Sequence, residues 1–169
     1  MFREMRRKRQ QLTVQECRDI LSAGTTAVLG VQGDDGYPYT VPINYFYDGE
    51  KIYFHGAKAG HKFDALVRCP KVSLCVIAKE DLVPQELTTY FRSVIVFGKA
   101  RILVDEDEIY QTTMRFGQRY LPDPARVEQS VRSSMKALCC VEITVEHMTG
   151  KEAIELTRMR GGSHPGGKG

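Results

Sequence analysis

Three strand-length runs of β-branched and aromatic residues, separated by two short turn sequences, occupy residues 25–55. The first run reads TTAVLGVQ and is followed by GDDG, a sequence typical of a hairpin turn. The second run, YPYTVPINYFY at 37–47, is followed by the turn signal Asp48-Gly49 and then by a third run at 51–55. Runs of this composition joined by such short turns predict three antiparallel strands in meander order.

The remainder of the sequence adds more strand candidates and several short helices. The capping box T-V-Q-E predicts a helix over 13–22, Pro70 ends a helix predicted over 60–68, and Gly98 predicts a bulge or bend in a long strand. The other predicted elements are strands at 72–78, 90–104 and 138–145, a loop at 79–89, and helices at 105–120 and from 124 to about 136. About six strands without strand-helix alternation predict a mainly β fold, an antiparallel β-barrel with peripheral helices.

The chain length allows one average domain. The 169 residues are 42% hydrophobic and 27% charged, a composition typical of a globular protein with a real core. We expect a flexible basic arm at 1–12, which contains REMRRKR, one folded domain at 13–158, and a disordered tail at 159–169, which contains GGSHPGGKG. The net charge of +3 is too small and too dispersed to favour nucleic acid as a partner.

Hydropathy and cysteine usage predict the cellular compartment. No apolar run approaches the roughly 18 residues that span a bilayer, and no signal-peptide core follows the basic start. The five cysteines form no CxxC pair and cannot all pair with one another, which is typical of reduced, mostly buried thiols. We therefore expect a cytoplasmic protein without a membrane partner.

Familiar catalytic and nucleotide motifs are absent from the sequence. The glycines at 30–36 have the wrong spacing for a dinucleotide fingerprint, and in the phosphate-loop pattern His61 replaces a glycine and Phe63 a Ser or Thr. Neither G-x-S-x-G nor H-E-x-x-H occurs. His55 and His61 lack the neighbouring ligands that a metal site needs, so no metal is predicted.

Residues 54–62, FHGAKAGHK, combine four small residues with four potential cations where a strand gives way to a helix. Small residues let backbone amides approach a ligand, and a helix N-terminus offers unpaired donors to an anion. The segment is therefore a candidate phosphate cradle. The alternative from spacing alone is a glycine-containing loop with a solvated lysine.

Three blocks together resemble a known family: VPINYFYDGEKIYFHGAKAGHKFDAL at 41–66, CPKVSLCV at 69–76 and YFRSVIVFGKARIL at 90–103. They are similar to the flavin-binding split-barrel proteins related to pyridoxamine 5'-phosphate oxidase, and most similar to the nitroimidazole-resistance (Nim) branch. The resemblance implies a six-stranded antiparallel split barrel and a homodimer. It also implies that flavin mononucleotide (FMN) lies at each end of the subunit interface.

The resemblance also implies roles for individual residues. His61 and Lys62 match two basic phosphate-binding positions, although His61 replaces the arginine usual in the oxidase branch and Lys58 would have to compensate. Ser93 matches a position that reaches the flavin from the partner subunit. Lys151, in M-T-G-K, is a candidate neighbour of the flavin or of a substrate anion, and the alternative is a solvated lysine after the last strand. The other implied flavin contacts are Val41, Pro42, Ile43, Asn44, Phe54, His55, Gly56 and Ala57.

His55 is the side chain expected nearest the reacting face, as an orienting group or proton donor, and a histidine bonded to a backbone carbonyl is the alternative. The implied function is an FMN-dependent oxidoreductase that passes electrons from a reduced donor to a small oxidised organic molecule, with nitroaromatic compounds such as 5-nitroimidazoles as candidates. The alternatives are a pyridoxamine 5'-phosphate oxidase, which is weaker because Arg158 and Arg160 lack the expected surroundings, and a non-catalytic flavin-binding protein. Haem and a deazaflavin replace FMN in some branches.

Overall fold

An antiparallel sheet of seven strands forms the centre of the computed structural model, which describes residues 1–161. Neighbouring strands follow the order β2-β1-β5-β6-β7-β4-β3. The strands are β1 Thr26–Gln32, β2 Pro38–Asn44, β3 Phe46–Tyr47, β4 Lys51–Ala57, β5 Lys71–Val83, β6 Thr88–Ile102 and β7 Leu138–Glu152.

The sheet wraps around one core. Inward side chains from both ends of the sheet, Ile43 of β2 and Tyr47 of β3, join one buried cluster with Leu74 and Ile143 from its centre. A flat sheet would keep its two ends apart, so the sheet must curl. The predicted mainly β split barrel with peripheral helices is confirmed.

The predicted number of six strands was wrong, because the run at 37–47 forms two strands. Tyr45 interrupts it: the side chain is fully buried, its hydroxyl donates to the Leu21 carbonyl at 2.9 Å, and its backbone amide donates to Thr25 at 3.0 Å. The sheet is also not closed, since no ladder joins its end strands β2 and β3 within residues 1–161.

The strands β5, β6 and β7 are longer than predicted at one end. The predicted loop at 79–89 is largely strand, because Lys79 to Val83 pair with Arg92 to Thr88 and satisfy their backbone groups there. In the same way β6 supports β7 as far as Glu152. The predicted irregularity at Gly98 is confirmed as a register shift between Phe97 and Gly98, but the extra residue is Glu146 of β7 and not a residue of β6.

Five α-helices lie around the sheet within residues 1–161. The predicted capping box is confirmed, because the Thr13 hydroxyl accepts from the Glu16 amide at 3.2 Å and the Glu16 carboxylate accepts from the Thr13 amide at 2.7 Å. Asp105 and Asp123 cap the two helices that are inserted between β6 and β7. The helices are α1 Val14–Ala23, α2 His61–Arg68, α3 Glu106–Tyr120, α4 Pro124–Ser134 and α5 Ile154–Gly161.

Part of the predicted basic arm packs against the sheet. Gln10 and Leu12 are buried, the Leu12 amide donates to Gly150 at 2.9 Å, and the Phe2 ring stacks on His147 with centroids 4.6 Å apart. At the other end, residues 159–161 of the predicted tail belong to α5, and residues 162–169 lie outside the described residues.

All five cysteines are free thiols, and Cys17, Cys139 and Cys140 are buried, as the sequence predicts. Among residues 1–161, no helix combines the length and hydropathy that crossing a bilayer requires.

Candidate functional site

The junction between β4 and α2 has the form of an anion cradle. Gly60 precedes α2 with a φ of 110°, a left-handed conformation that favours glycine, and a Cβ built there would meet nothing within 4 Å. The first backbone bond of the helix runs from the Asp64 amide to Gly60. The amides of residues 61–63 have no partner within the part of the chain that the structure describes, and no side chain there caps them. Three donors therefore point out of the helix.

Lys62 lies over the end of β4. Its Nζ is 5.4 Å from the centroid of the Phe54 ring, and a Cβ added to Gly56 would come within 3.4 Å of the same Nζ. The absence of a side chain at Gly56 thus leaves the room in which the ammonium group lies. The Lys62 side chain is half-buried. Its position over the aromatic ring of Phe54 holds the ammonium group close to β4.

His61 turns away from Lys62, towards β2 and the turn between β1 and β2. Its ring stacks on Tyr39 with centroids 4.0 Å apart, and its Nε2 lies 3.4 Å from Asp34 Oδ2. Arg68 Nη1 lies 2.7 Å from the other oxygen of Asp34. Of the two predicted phosphate ligands, Lys62 therefore faces the sheet and His61 faces an acidic turn.

Lys58 and Ala57 lie just before this junction and are exposed. The Lys58 side chain borders a cavity of about 280 Å³ with Phe63, Val104 and Ile109, on the side of α3. Lys58 is two residues before Gly60 and lines cavities on the α3 side, and no contact joins its side chain to the α2 N-terminus among the described residues.

The predicted contacts on β2 divide between its two faces. Ile43 is buried in the core and Val41 packs against the core, whereas Pro42 and Asn44 are exposed on the outer face. The Asn44 side chain donates to the Thr25 carbonyl at 3.3 Å. Of these four predicted contacts, only Pro42 and Asn44 therefore present side chains to a ligand outside the barrel.

His55 and Phe54 also lie on opposite faces, because successive side chains of a strand alternate. Phe54 is buried in the core, whereas His55 points outward. The His55 ring packs edge-to-face with the Phe116 ring, with centroids 4.7 Å apart. The two side chains therefore do not face the same side of β4. His55 instead borders a cavity of about 380 Å³ between α3 and α4, whose lining includes Phe116, Val127 and Ser130.

The environment of His55 favours its neutral form. Burial lowers the pKa of His55, and the positive charge of Lys62 lowers this pKa further. A neutral imidazole keeps one ring nitrogen as a proton acceptor and the other as a donor.

Ser93 and Lys151 lie far from this junction in the same chain. They are opposite one another in the β6–β7 register, whereas His55 is opposite Cys140 on β7. Lys151 lies eleven residue steps after Cys140, which corresponds to about 36 Å along β7 at 3.3 Å per residue. One chain therefore does not bring these two residues to the cradle.

The sequence did not predict three neighbours of the site, which are Tyr39, Asp34 and Arg68. His61 and Arg68 are seven residues apart, a spacing that places two side chains on one face of a helix, and this signal is present in the sequence. The contact with Asp34 is not, because it depends on how the β1–β2 turn packs beside α2.

Comparison with known proteins assigns the family. The sequence profile of the pyridoxamine 5'-phosphate oxidase family matches residues 13–152. The chain belongs to this family. None of the curated proteins searched matches the sequence at a significant level.

Solved structures share the pyridoxamine 5'-phosphate oxidase-like fold at low sequence identity. A candidate 5-nitroimidazole antibiotic resistance protein from Bacteroides thetaiotaomicron is 22% identical, with 84% of this chain and 86% of that chain covered and a TM-score of 0.69. An FAD-binding protein from Mesorhizobium loti is 23% identical, with coverages of 85% and 96% and a TM-score of 0.60. An FAD and haem binding protein from Mycobacterium smegmatis is 18% identical, with coverages of 90% and 80% and a TM-score of 0.72.

Proposed function

We propose that the protein binds FMN, with the phosphate at the N-terminus of α2 and the isoalloxazine ring beside the outer face of β2. The carrying observation is the β4–α2 junction, where three amides without partners among the described residues, the open space at Gly60 and the ammonium group of Lys62 converge. These groups match a phosphate in charge and in hydrogen-bonding capacity. Family membership supports the proposal, and solved structures of this fold include proteins described as FAD-binding.

Different residues would bind the phosphate and the ring of FMN. The amides of residues 61–63 and the Lys62 side chain would hold the phosphate, and Lys58 would add long-range positive charge. Pro42 and Asn44 would border the ring, with backbone groups of β2 beside them. Val41, Ile43 and Phe54 would support these positions from the core side, because their side chains lie within or against the core.

A bound flavin supplies reversible electron transfer between a reduced donor and an oxidised acceptor. The chain itself needs few acid-base groups for such chemistry. His55 would hold or accept a proton at its free ring nitrogen in the cavity between α3 and α4, where its lowered pKa keeps it neutral near pH 7. A small organic acceptor such as a nitroaromatic compound is the acceptor class we propose.

We further propose that two copies of the chain complete the site. Val28, Cys75 and Ile95 lie side by side on the outer face of β1, β5 and β6, and Ile77 beyond them is 60% exposed. An apolar face of this kind is typical of an interface between copies. Ser93 lies on the same face opposite Ile77 and beside Lys151, so a partner would carry both residues towards the flavin.

One observation weakens the pyridoxamine 5'-phosphate oxidase alternative for this chain. Arg160, one of the two C-terminal arginines available for substrate, is bound by Glu16 and by the buried Glu152. An arginine neutralised by two carboxylates is a poor ligand for a substrate phosphate.

The absorption spectrum of the purified protein tests the proposal. We expect the bands of oxidised flavin, release of FMN on denaturation, and reoxidation of the chemically reduced protein by a nitroimidazole. A colourless protein that stays colourless after incubation with FMN contradicts flavin binding. A bound flavin that no donor or acceptor turns over supports a non-catalytic flavin-binding protein, and formation of pyridoxal phosphate supports the oxidase alternative.

A further inference from the structure

We infer that Asp34 makes the cradle selective for a flavin with a single phosphate, so that FMN binds in preference to FAD; the inference rests on the proposed function. Four side chains from three parts of the chain form a row beside α2. Tyr39 of β2 stacks on His61, His61 Nε2 lies 3.4 Å from Asp34, and Asp34 lies 2.7 Å from Arg68.

This row lies beside the first residues of β2 and the β1–β2 turn. β2 runs from Pro38, next to the β1–β2 turn, to Asn44, and α2 contacts it at Tyr39. In the proposed pose, with the ring near Pro42 and Asn44 and the phosphate at the N-terminus of α2, a group attached to that phosphate would meet this row where it extends along β2 towards the turn. FAD differs from FMN by a second phosphate and an adenosine at this position.

Asp34 opposes a second phosphate in two ways. Its side chain is 60% exposed and carries a negative charge beside His61, the first residue of α2, where it would repel a second phosphate. It also pairs with Arg68, the last residue of α2, whose guanidinium would otherwise be available to bind a second phosphate. A phosphate at the N-terminus of α2 is less affected, because His61 lies between it and Asp34.

The ion pair between Asp34 and Arg68 is not needed to close the turn in which Asp34 lies. The turn is closed by the backbone bond from the Tyr37 amide to the Asp34 carbonyl, at 3.0 Å, and the Asp34 side chain reaches across to α2 instead. The remaining structural explanation is that Asp34 fastens the turn to α2. The two roles predict different results for flavin binding.

The test measures the dissociation constants of FMN and FAD for the apoprotein by quenching of flavin fluorescence. For Asp34→Asn we expect FAD affinity to rise about tenfold and FMN affinity at most about threefold, as removal of one nearby like charge allows. The double variant Asp34→Asn, Arg68→Gln should lose the gain for FAD. Added salt should shrink the gain, since the groups are exposed.

Asp35→Asn is the matched control, because it removes the same charge from the same turn, and Asp35 makes no contact with α2 among the described residues. Equal changes for both flavins in Asp34→Asn, or the same ratio change in Asp35→Asn, overturn the inference while leaving the proposed function intact. A wild-type protein that binds both flavins equally does so as well. A wild-type protein that binds neither overturns both.

A second variant covers the case in which Asp34→Asn loosens α2. Arg68→Gln leaves Asp34 in place without its cation, so we expect FAD to bind still more weakly relative to FMN. Unchanged relative affinities in Arg68→Gln overturn the inference independently of Asp34→Asn. Thermal unfolding of each variant shows whether the fold is retained.

Discussion

The ammonium group of Lys62 lies over the Phe54 ring in the space that Gly56 leaves open, with no carboxylate partner among the described residues. His61, in contrast, already faces Asp34. We therefore expect Lys62→Gln to weaken FMN binding about tenfold, as loss of one charge-assisted hydrogen bond predicts. Titration of the apoprotein with FMN measures this change in affinity.

The control for this prediction is Lys71→Gln, which removes an exposed lysine at the start of β5. It should change FMN affinity by less than about twofold, because exposed charges at a distance are screened. Equal weakening in both variants would show that overall charge, and not the Lys62 position, controls binding.

His55 gives a pH-dependent prediction. Burial and the charge of Lys62 lower the pKa of His55 below the ordinary histidine value of about 6.5, so just below that pH the unfolded chain binds a proton more readily than the folded chain does. The stability contribution of neutral His55 is present above about pH 6.5 and is lost as the pH falls from there through the lowered folded-state pKa. We expect nuclear magnetic resonance titration to give a lowered pKa for His55.

The variant Lys62→Gln should move the pKa of His55 back towards its ordinary value, since one of the two causes is removed. His55→Asn assigns the resonance and should reduce the loss of stability below pH 6.5. A His55 pKa that does not respond to Lys62→Gln contradicts the electrostatic coupling.

Glu152 is a fully buried carboxylate held by three side chains. Arg92 Nε donates to it at 2.9 Å, the Thr157 hydroxyl donates at 3.0 Å, and Arg160 lies against it. Glu152→Ala removes the buried carboxylate and leaves Arg92 without an ion-pair partner among the described residues, whereas Arg160 keeps Glu16, and we expect a loss of about 3 kcal/mol in the free energy of unfolding. Urea unfolding measures this, and Glu155→Gln, in the first turn of α5, should cost less than about 0.5 kcal/mol.

At the scale of elements, the register shift between β6 and β7, where Glu146 is the extra residue on β7, depends on the absence of a side chain at Gly98. A Cβ there would meet the Thr144 carbonyl oxygen and, at 2.8 Å, the Ile143 Cγ2. We expect Gly98→Ala to cost about 1–3 kcal/mol, the usual range for a forced clash in a packed region. Denaturant unfolding tests this, with Lys99→Ala as control, because its exposed ion pair with Glu146 contributes at most about 1 kcal/mol. Equal losses in both variants would contradict the steric explanation.

Element types followed from local sequence, but element ends did not. The capping box at Thr13 and the bulge at Gly98 depend on residues within one element and its immediate neighbour, so the sequence predicted them. The extension of β5 to Val83 and of β7 to Glu152 depends on pairing with β6, which local hydropathy does not encode. The break at Tyr45 depends on a hydrogen bond to α1.

At the scale of the whole molecule, the proposed dimer predicts that one charged residue on the open sheet face separates the subunits. Ile77→Asp places a carboxylate in this apolar face, and we expect a monomer in sedimentation analysis and FMN binding weakened at least tenfold, because burying an unpaired charge is unfavourable. Val104→Asp is the control: Val104 is equally apolar and 85% exposed, but lies beside α3. A monomeric wild-type protein that binds FMN tightly contradicts the dimer.

The sequence by itself determined the mainly β class, the capped first helix, the bulge and the segment 54–62 as a candidate anion site, because each rests on composition or on residues close in the chain. Only the tertiary structure decided that Phe54 faces the core while His55 faces the α3–α4 cavity, that His61 meets Asp34 and Arg68, and that Ser93 and Lys151 lie far from the cradle. Those relations join residues from separate elements. They depend on strand register and on how the sheet curls, which are set by packing over the whole core.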